Sequence, residues 1–221
     1  MKNRLSYPYF FIFLFIISAL LGVIQFGIVT LTLSKLGLSV TFAFYLLVGS
    51  LVGSVVNIPL FTIESDTGIE YIRPSYSGLL KQFEQEFTGK TVIAINIGGA
   101  VIPILFSTFL VFYSTLKFYE ILLGTGLVSI ISYFVSRPIM GLGIGMPILI
   151  APVTAALVAL MINIEQSAPL AYISGTMGVL IGADLLRLKD VQKFRTPVAS
   201  IGGAGTFDGI FITGVIAVLL T

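Results

Sequence analysis

A succession of apolar stretches, each about as long as a bilayer is thick, limits what this chain can fold into. The first runs from Tyr7 to Leu33 without one charged side chain. About 20 helical residues, at 1.5 Å rise each, cross the ~30 Å hydrocarbon core of a membrane. Comparable stretches follow at about 38–60, 91–116, 119–135, 141–162, 169–187 and 198–220. Only 10% of the 221 residues are charged and 57% are hydrophobic. A soluble domain carries about 25% charged residues, so the bilayer reads as the solvent. The expected fold is all-α: a polytopic transmembrane helix bundle of about seven spans, forming one membrane domain over residues 1–221.

Lys2 and Arg4 stand before the first stretch, as they would before a secretory signal. That stretch exceeds a signal's apolar region, and no small-x-small cleavage site follows, so it reads as a retained span. Seven spans with the N-terminus in the cytoplasm place Lys2, Arg4, Arg73, Lys81, Lys90, Arg137, Arg187, Lys189, Lys193 and Arg195 inside, ten of the twelve Lys and Arg residues. Only Lys35 and Lys117 fall outside. Cytoplasmic loops are enriched in such residues, which predicts a multi-pass cell-membrane protein with its C-terminus outside.

Several apolar stretches carry helix-breaking residues. Asn57 and Pro59 interrupt the second, and Asn96, Gly98, Gly99 and Pro103 repeat an Asn…Pro theme in the third. Proline removes a backbone donor and crowds the preceding turn. Such breaks fit either a helix ending at the interface or unwound backbone lining a cavity. Residues 62–90 form the one sizeable polar loop, with helical spacing in LLKQFEQEF. Immediately after it, TVIAIN alternates like a short strand.

With Cys 0 and His 0, thiol nucleophiles, Ser–His catalysis and Cys/His metal sites are excluded. No metal or other cofactor is implied. A net charge of +2 is too small for a nucleic-acid surface. Acid–base chemistry falls to carboxylates, and two lie inside apolar stretches: Asp184 in SGTMGVLIGADLLRL and Asp208 in IGGAGTFDGIFITGV. An intramembrane carboxylate is costly and by default marks a functional site. Asp184 lies three residues before Arg187, so an i,i+3 ion pair at the interface is the alternative. Asp208 lies ten residues into its stretch, about 15 Å deep in a regular helix. Gly202, Gly203, Gly205 and Gly209 could unwind the chain there, raise Asp208 toward Asp184 and open the backbone to a substrate.

GSVVNIPL, INIGGAVIP, APLAYISGTMGVLIGADLL and PVASIGGAGTFDGIF together resemble the archaeal and bacterial domain-of-unknown-function 1614 membrane family over most of residues 46–221. The resemblance implies a polytopic membrane protein. The order of Asp184 and Asp208, one in each of two successive antiparallel helices, is similar to that of presenilin-like intramembrane aspartyl proteases. Gly205-Thr206-Phe207 stands before Asp208 where that group has Gly-x-Gly. Ala168-Pro169-Leu170 is the nearest counterpart of its Pro-Ala-Leu, but precedes both aspartates. That resemblance implies a hydrolase with Asp184 and Asp208 as acid and base, acting on a transmembrane peptide. Two other functions fit the same residues. One is a proton- or cation-coupled transporter of a small solute, with Asp208 as carrier and Asn57 and Asn96 lining the path. The other is a non-catalytic membrane scaffold whose glycines serve only packing.

Overall fold

The computed structural model describes residues 15, 18, 22, 27, 28, 30, 32–64, 89–139, 143–193, 196–203 and 209–221, with backbone only at Lys193 and Gly209. Most of the first apolar stretch, most of the polar loop, Gly205 and Asp208 lie outside these residues. The fold is mostly helical with some sheet, which corrects the all-α expectation. Helix α1, Val40–Gly53, opens with the Ser39 side chain accepting from the Phe42 N–H. The chain then straightens into strand β1, Asn57–Glu64, which pairs antiparallel with β2, Lys90–Asn96. From β2 it passes through a π-type turn, Ile97–Val101, into α2, Ile102–Tyr113.

Helix α3 spans Phe118–Val135 and is followed by a small hairpin, β3 Arg137–Ile139 and β4 Gly143–Gly145. Helices α4, Ile150–Ile162, and α5, Ser167–Val179, come next. Helix α5 runs on through a second π-type turn, Leu180–Leu185, followed by a 3₁₀ turn, Leu188–Lys193. Strand β5, Val198–Ile201, returns parallel to β2, giving a sheet of order β1-β2-β5. Helix α6, Gly209–Leu220, closes the fold.

Strand β1 begins in, and β5 falls within, an apolar stretch that the sequence reads as helix, while TVIAIN of β2 already alternates like a strand. A short apolar run rich in β-branched residues serves either structure, and periodicity alone does not decide. NIPLFTIE, KTVIAIN and VASI are such runs. Pro59 fits because β1 is an edge strand, where its missing N–H costs no ladder bond, and the register shifts between Pro59 and Phe61. Thus 38–60 and 91–116 are each part helix and part strand, and 198–220 begins as a strand.

Helix α5 is the centre, packed against α2, α3, α4 and α6. Its glycines set the approach of each neighbour. A Cβ on Gly178 would lie 2.6 Å from the Val128 Cβ, and one on Gly182 would collide with the Ser129 carbonyl. Gly175 instead faces Ala155 of α4 and Thr213 of α6. Small residues let backbones approach closely, so that many weak dispersion contacts add up. The small residues of α5 therefore serve several neighbours.

Among the described residues, two helices are long and apolar enough to cross a membrane, Phe118–Val135 and Ser167–Leu185. They differ in surroundings: 67% of the second is buried inside the protein and only 28% of the first. Phe118, Leu122, Ile130 and Phe134 all point outward from α3.

Candidate functional site

At the sheet end of the bundle, four separate stretches of chain converge on a polar knot. Asn96 ends β2 and is fully buried. Its Nδ2 donates to the Ser54 carbonyl at 2.6 Å and to Asn57 Oδ1 at 3.1 Å. Its Oδ1 accepts from the Gly99 N–H at 2.7 Å, capping the π-type turn that leads into α2. Asn57 Oδ1 also accepts from the Ser200 hydroxyl at 2.5 Å. One amide pair therefore joins β1, β2, β5 and the end of α1. Buried polar groups cost free energy unless bonded, which explains why Asn tolerates so apolar a setting.

Glycine is required on both sides of this knot. Gly98 lies against the Ser50 carbonyl and the Ser54 N–H so closely that no Cβ could be accommodated. The Ser50 hydroxyl in turn donates to the Gly98 carbonyl. Gly202, just past β5, has φ +81°, and a Cβ on it would lie 2.7 Å from the Ala100 nitrogen. Left-handed backbone of this kind is routine only for glycine.

Asp184 joins the knot from α5. It sits in the Leu180–Leu185 turn, where the Leu186 N–H bonds back to the Ile181 carbonyl, one residue further than in an α-helix. Single π-type turns recur at functional sites because the inserted residue re-aims its neighbours. The half-buried Asp184 carboxylate accepts the Gly202 N–H on Oδ2 at 3.0 Å. Gly202 thus stands between the two π-type turns, packed on Ala100 of one and bonded to Asp184 of the other.

Arg187, the partner considered for Asp184, makes its ion pair with Asp190 at 3.1 Å. Its Nε donates to Ser136 Oγ at 2.7 Å and an NH2 hydrogen to the Tyr133 carbonyl at 2.6 Å. Its guanidinium lies 4.7 Å from the Tyr133 ring centre. The cation therefore closes the C-terminus of α3, where the helix dipole favours positive charge.

Of the residues singled out from the sequence, Asp184, Asn57, Asn96, Gly202 and Gly203 come together here. Gly203 also has positive φ, +87°, and its N–H donates to the Ser200 carbonyl. Gly209 opens α6. Asp208 and Gly205 lie outside the described residues. A regular helix beginning at residue 198 is excluded by β5 and by the left-handed Gly202 and Gly203, so the depth of about 15 Å inferred for Asp208 on that basis no longer applies.

Ser200, Ser54 and Gly98 were not singled out as site residues. The signal for Ser200 is a repeat: Asn96 precedes Ile97-Gly98-Gly99-Ala100 as Ser200 precedes Ile201-Gly202-Gly203-Ala204, and both polar residues reach Asn57.

The fold and knot define a mostly helical, strongly apolar protein with a polar, glycine-rich junction at one end. The family whose description reads "Protein of unknown function (DUF1614)" matches residues 51–220, which includes every residue of the knot except Ser50. The chain belongs to this family. No curated protein and no solved structure matches it.

Proposed function

We propose that this is a multi-pass protein of the cell membrane carrying an aspartyl-dyad hydrolase site at its cytoplasmic end, with Asp184 and Asp208 as the acid–base pair. Membrane residence is supported by the outward apolar face of α3, since a water-soluble protein rarely exposes so large an apolar patch. Orientation follows from charge. Arg137, Arg187 and Lys189 gather at the sheet end, while Lys35 caps the C-terminal carbonyls of α6 at the other, donating to Leu219 at 3.2 Å.

The observation that carries the catalytic reading is the Asp184–Gly202 hydrogen bond. It ties one aspartate to the left-handed segment that leads to the other. Five residues separate Gly202 from Asp208, a reach of at most about 22 Å. Two carboxylates sharing a proton hold an acid and a base at once. One would activate water while the other protonates the carbonyl oxygen or leaving amine of a membrane-embedded peptide.

The transporter alternative asks Asn57 and Asn96 to line a path. The Asn96 amide instead has both hydrogens and its oxygen bonded within the protein, which favours the hydrolase reading.

The chain has no cysteine, so an Asp184→Cys/Asp208→Cys variant reports their separation directly. We expect rapid disulfide formation on mild oxidation in membranes, and cleavage of reconstituted transmembrane peptides that either Asp→Asn variant abolishes. A pair bridged by neither oxidant nor a short bifunctional reagent would overturn the dyad. Proton- or cation-driven solute uptake into proteoliposomes, lost in Asp208→Asn, would establish transport in its place.

A further inference from the structure

The same end of the bundle carries a second feature, at its surface. Hairpin strand β3 lies against the 3₁₀ turn Leu188–Lys193. The Arg187–Ser136 bond fixes this contact, because Ser136 immediately precedes Arg137 and Arg187 lies two residues before Lys189. Arg137 and Lys189 are thereby presented from adjoining elements, both exposed. Neither side chain makes a hydrogen bond or ion pair among the described residues. The adjacent charges are already matched, since Asp190 is bonded to Arg187.

Close to the two cations along the chain are exposed apolar side chains: Ile139 at 44%, two residues after Arg137, and Leu185 at 41% and Leu186 at 58%, four and three residues before Lys189. A surface that offers unmatched cations next to exposed aliphatic groups at a helix end matches an amphiphile with an anionic head and apolar tails.

We infer that Arg137 and Lys189 form a binding site for the phosphate headgroup of an anionic phospholipid of the cytoplasmic leaflet, with Ile139, Leu185 and Leu186 against its acyl chains. Charge complementarity selects this occupant. Arg offers a planar fork of donors to phosphate oxygens and Lys adds a point charge. Basic residues at the cytoplasmic surface attract anionic lipid in proportion to their number. Arg187 is not part of the site, because its donors are committed to Ser136, Tyr133 and Asp190. The site would anchor the turn that follows Asp184 to the membrane surface.

This inference rests on the membrane reading, and two measurements separate their failures. Release of the chain from membranes by alkaline carbonate would overturn the membrane reading itself. If the chain is retained, the purified full-length protein is titrated in detergent micelles with dioleoyl-phosphatidylglycerol or dioleoyl-phosphatidylcholine while its thermal unfolding is followed. The expected result is a rise in unfolding temperature whose midpoint falls at about tenfold lower phosphatidylglycerol than phosphatidylcholine. Arg137→Gln/Lys189→Gln should remove that preference, and Lys117→Gln, at the opposite end, should keep it. Equal responses of the unaltered protein to both lipids would overturn the site even if the double variant fails to fold. So would equal loss in Lys117→Gln, which would make the effect one of net charge alone.

Discussion

The tetrapeptide Ile-Gly-Gly-Ala occurs twice, at 97–100 directly after β2 and at 201–204 from the last residue of β5, and the two strands lie side by side in parallel. The first copy continues directly into a π-type turn and then α2. In the second, Gly202 and Gly203 are left-handed and turn the chain away from helix. The difference lies in what surrounds each copy. Asn96 Oδ1 takes the Gly99 N–H and holds the first copy in a helical path. The Ser200 side chain reaches sideways to Asn57, leaving the Gly202 N–H to Asp184 and the Gly203 N–H to the Ser200 carbonyl. Glycine has no conformational preference strong enough to decide, so the capping partners do. One copy starts a helix, and the other couples an aspartate to the chain leading to α6.

The most severe way to break this contrast is Asn96→Ala. It strands the Gly99 N–H and the Ser54 carbonyl in a buried setting, at about 1–3 kcal/mol each, so a loss of about 4 kcal/mol is expected. Thermal or SDS unfolding of the purified protein measures it. A change below 1 kcal/mol would mean that the cap does not separate the two copies.

Gly202→Ala should cost somewhat less, about 3 kcal/mol, from left-handed strain plus crowding against Ala100. The same unfolding experiment reads it, and near-neutral behaviour would place residue 202 in ordinary backbone. In any functional assay this variant should also be impaired, because the Asp184–Gly202 bond depends on that turn.

The smallest structural effect is expected for Asp184→Asn. The remaining side-chain oxygen can still accept the Gly202 N–H, so stability should change by about 1 kcal/mol or less, while the proposed peptide cleavage should be lost. Destabilisation of several kcal/mol would instead assign Asp184 to holding the junction together. The comparison would then be between two purely structural copies.

The two ends of the bundle extend the same lesson. At the end opposite the sheet, Glu120 closes the start of α3 by accepting from the Lys117 N–H at 2.8 Å, and it accepts from Asn163, the residue that follows α4, at 3.2 Å. The Lys117–Glu120 bond is ordinary helix capping within one turn, and Asn163 is the single partner from a distant stretch among the described residues. At the sheet end the partners come from four parts of the chain, joined by glycine contacts that leave no room for a side chain.

Much of the helical character was readable in advance, because long apolar runs without charge specify it. Helices stand at Phe118–Val135 and Ser167–Leu185, where the sequence placed stretches at 119–135 and 169–187. The alternation in TVIAIN likewise pointed to the strand found at Lys90–Asn96. Strands β1 and β5 were hidden, since NIPLFTIE and VASI are short, mostly apolar runs with no strict alternation to reveal them. The parallel pairing of Val92–Ile95 with Val198–Ile201 joins segments about a hundred residues apart, and no local pattern encodes such a register.

By itself, then, the sequence determined the strongly apolar character of this chain, the chemistries closed to it and the residue types able to act, because those follow from composition and from which side chains exist at all. Tertiary structure alone decided that Asn57, Asn96 and Ser200 form one clasp, that Arg187 turns to Asp190, and that Asp184 meets Gly202. Hydrogen-bond partners are chosen by proximity in three dimensions, and in a low-dielectric interior a buried bond of this kind is stronger than in water.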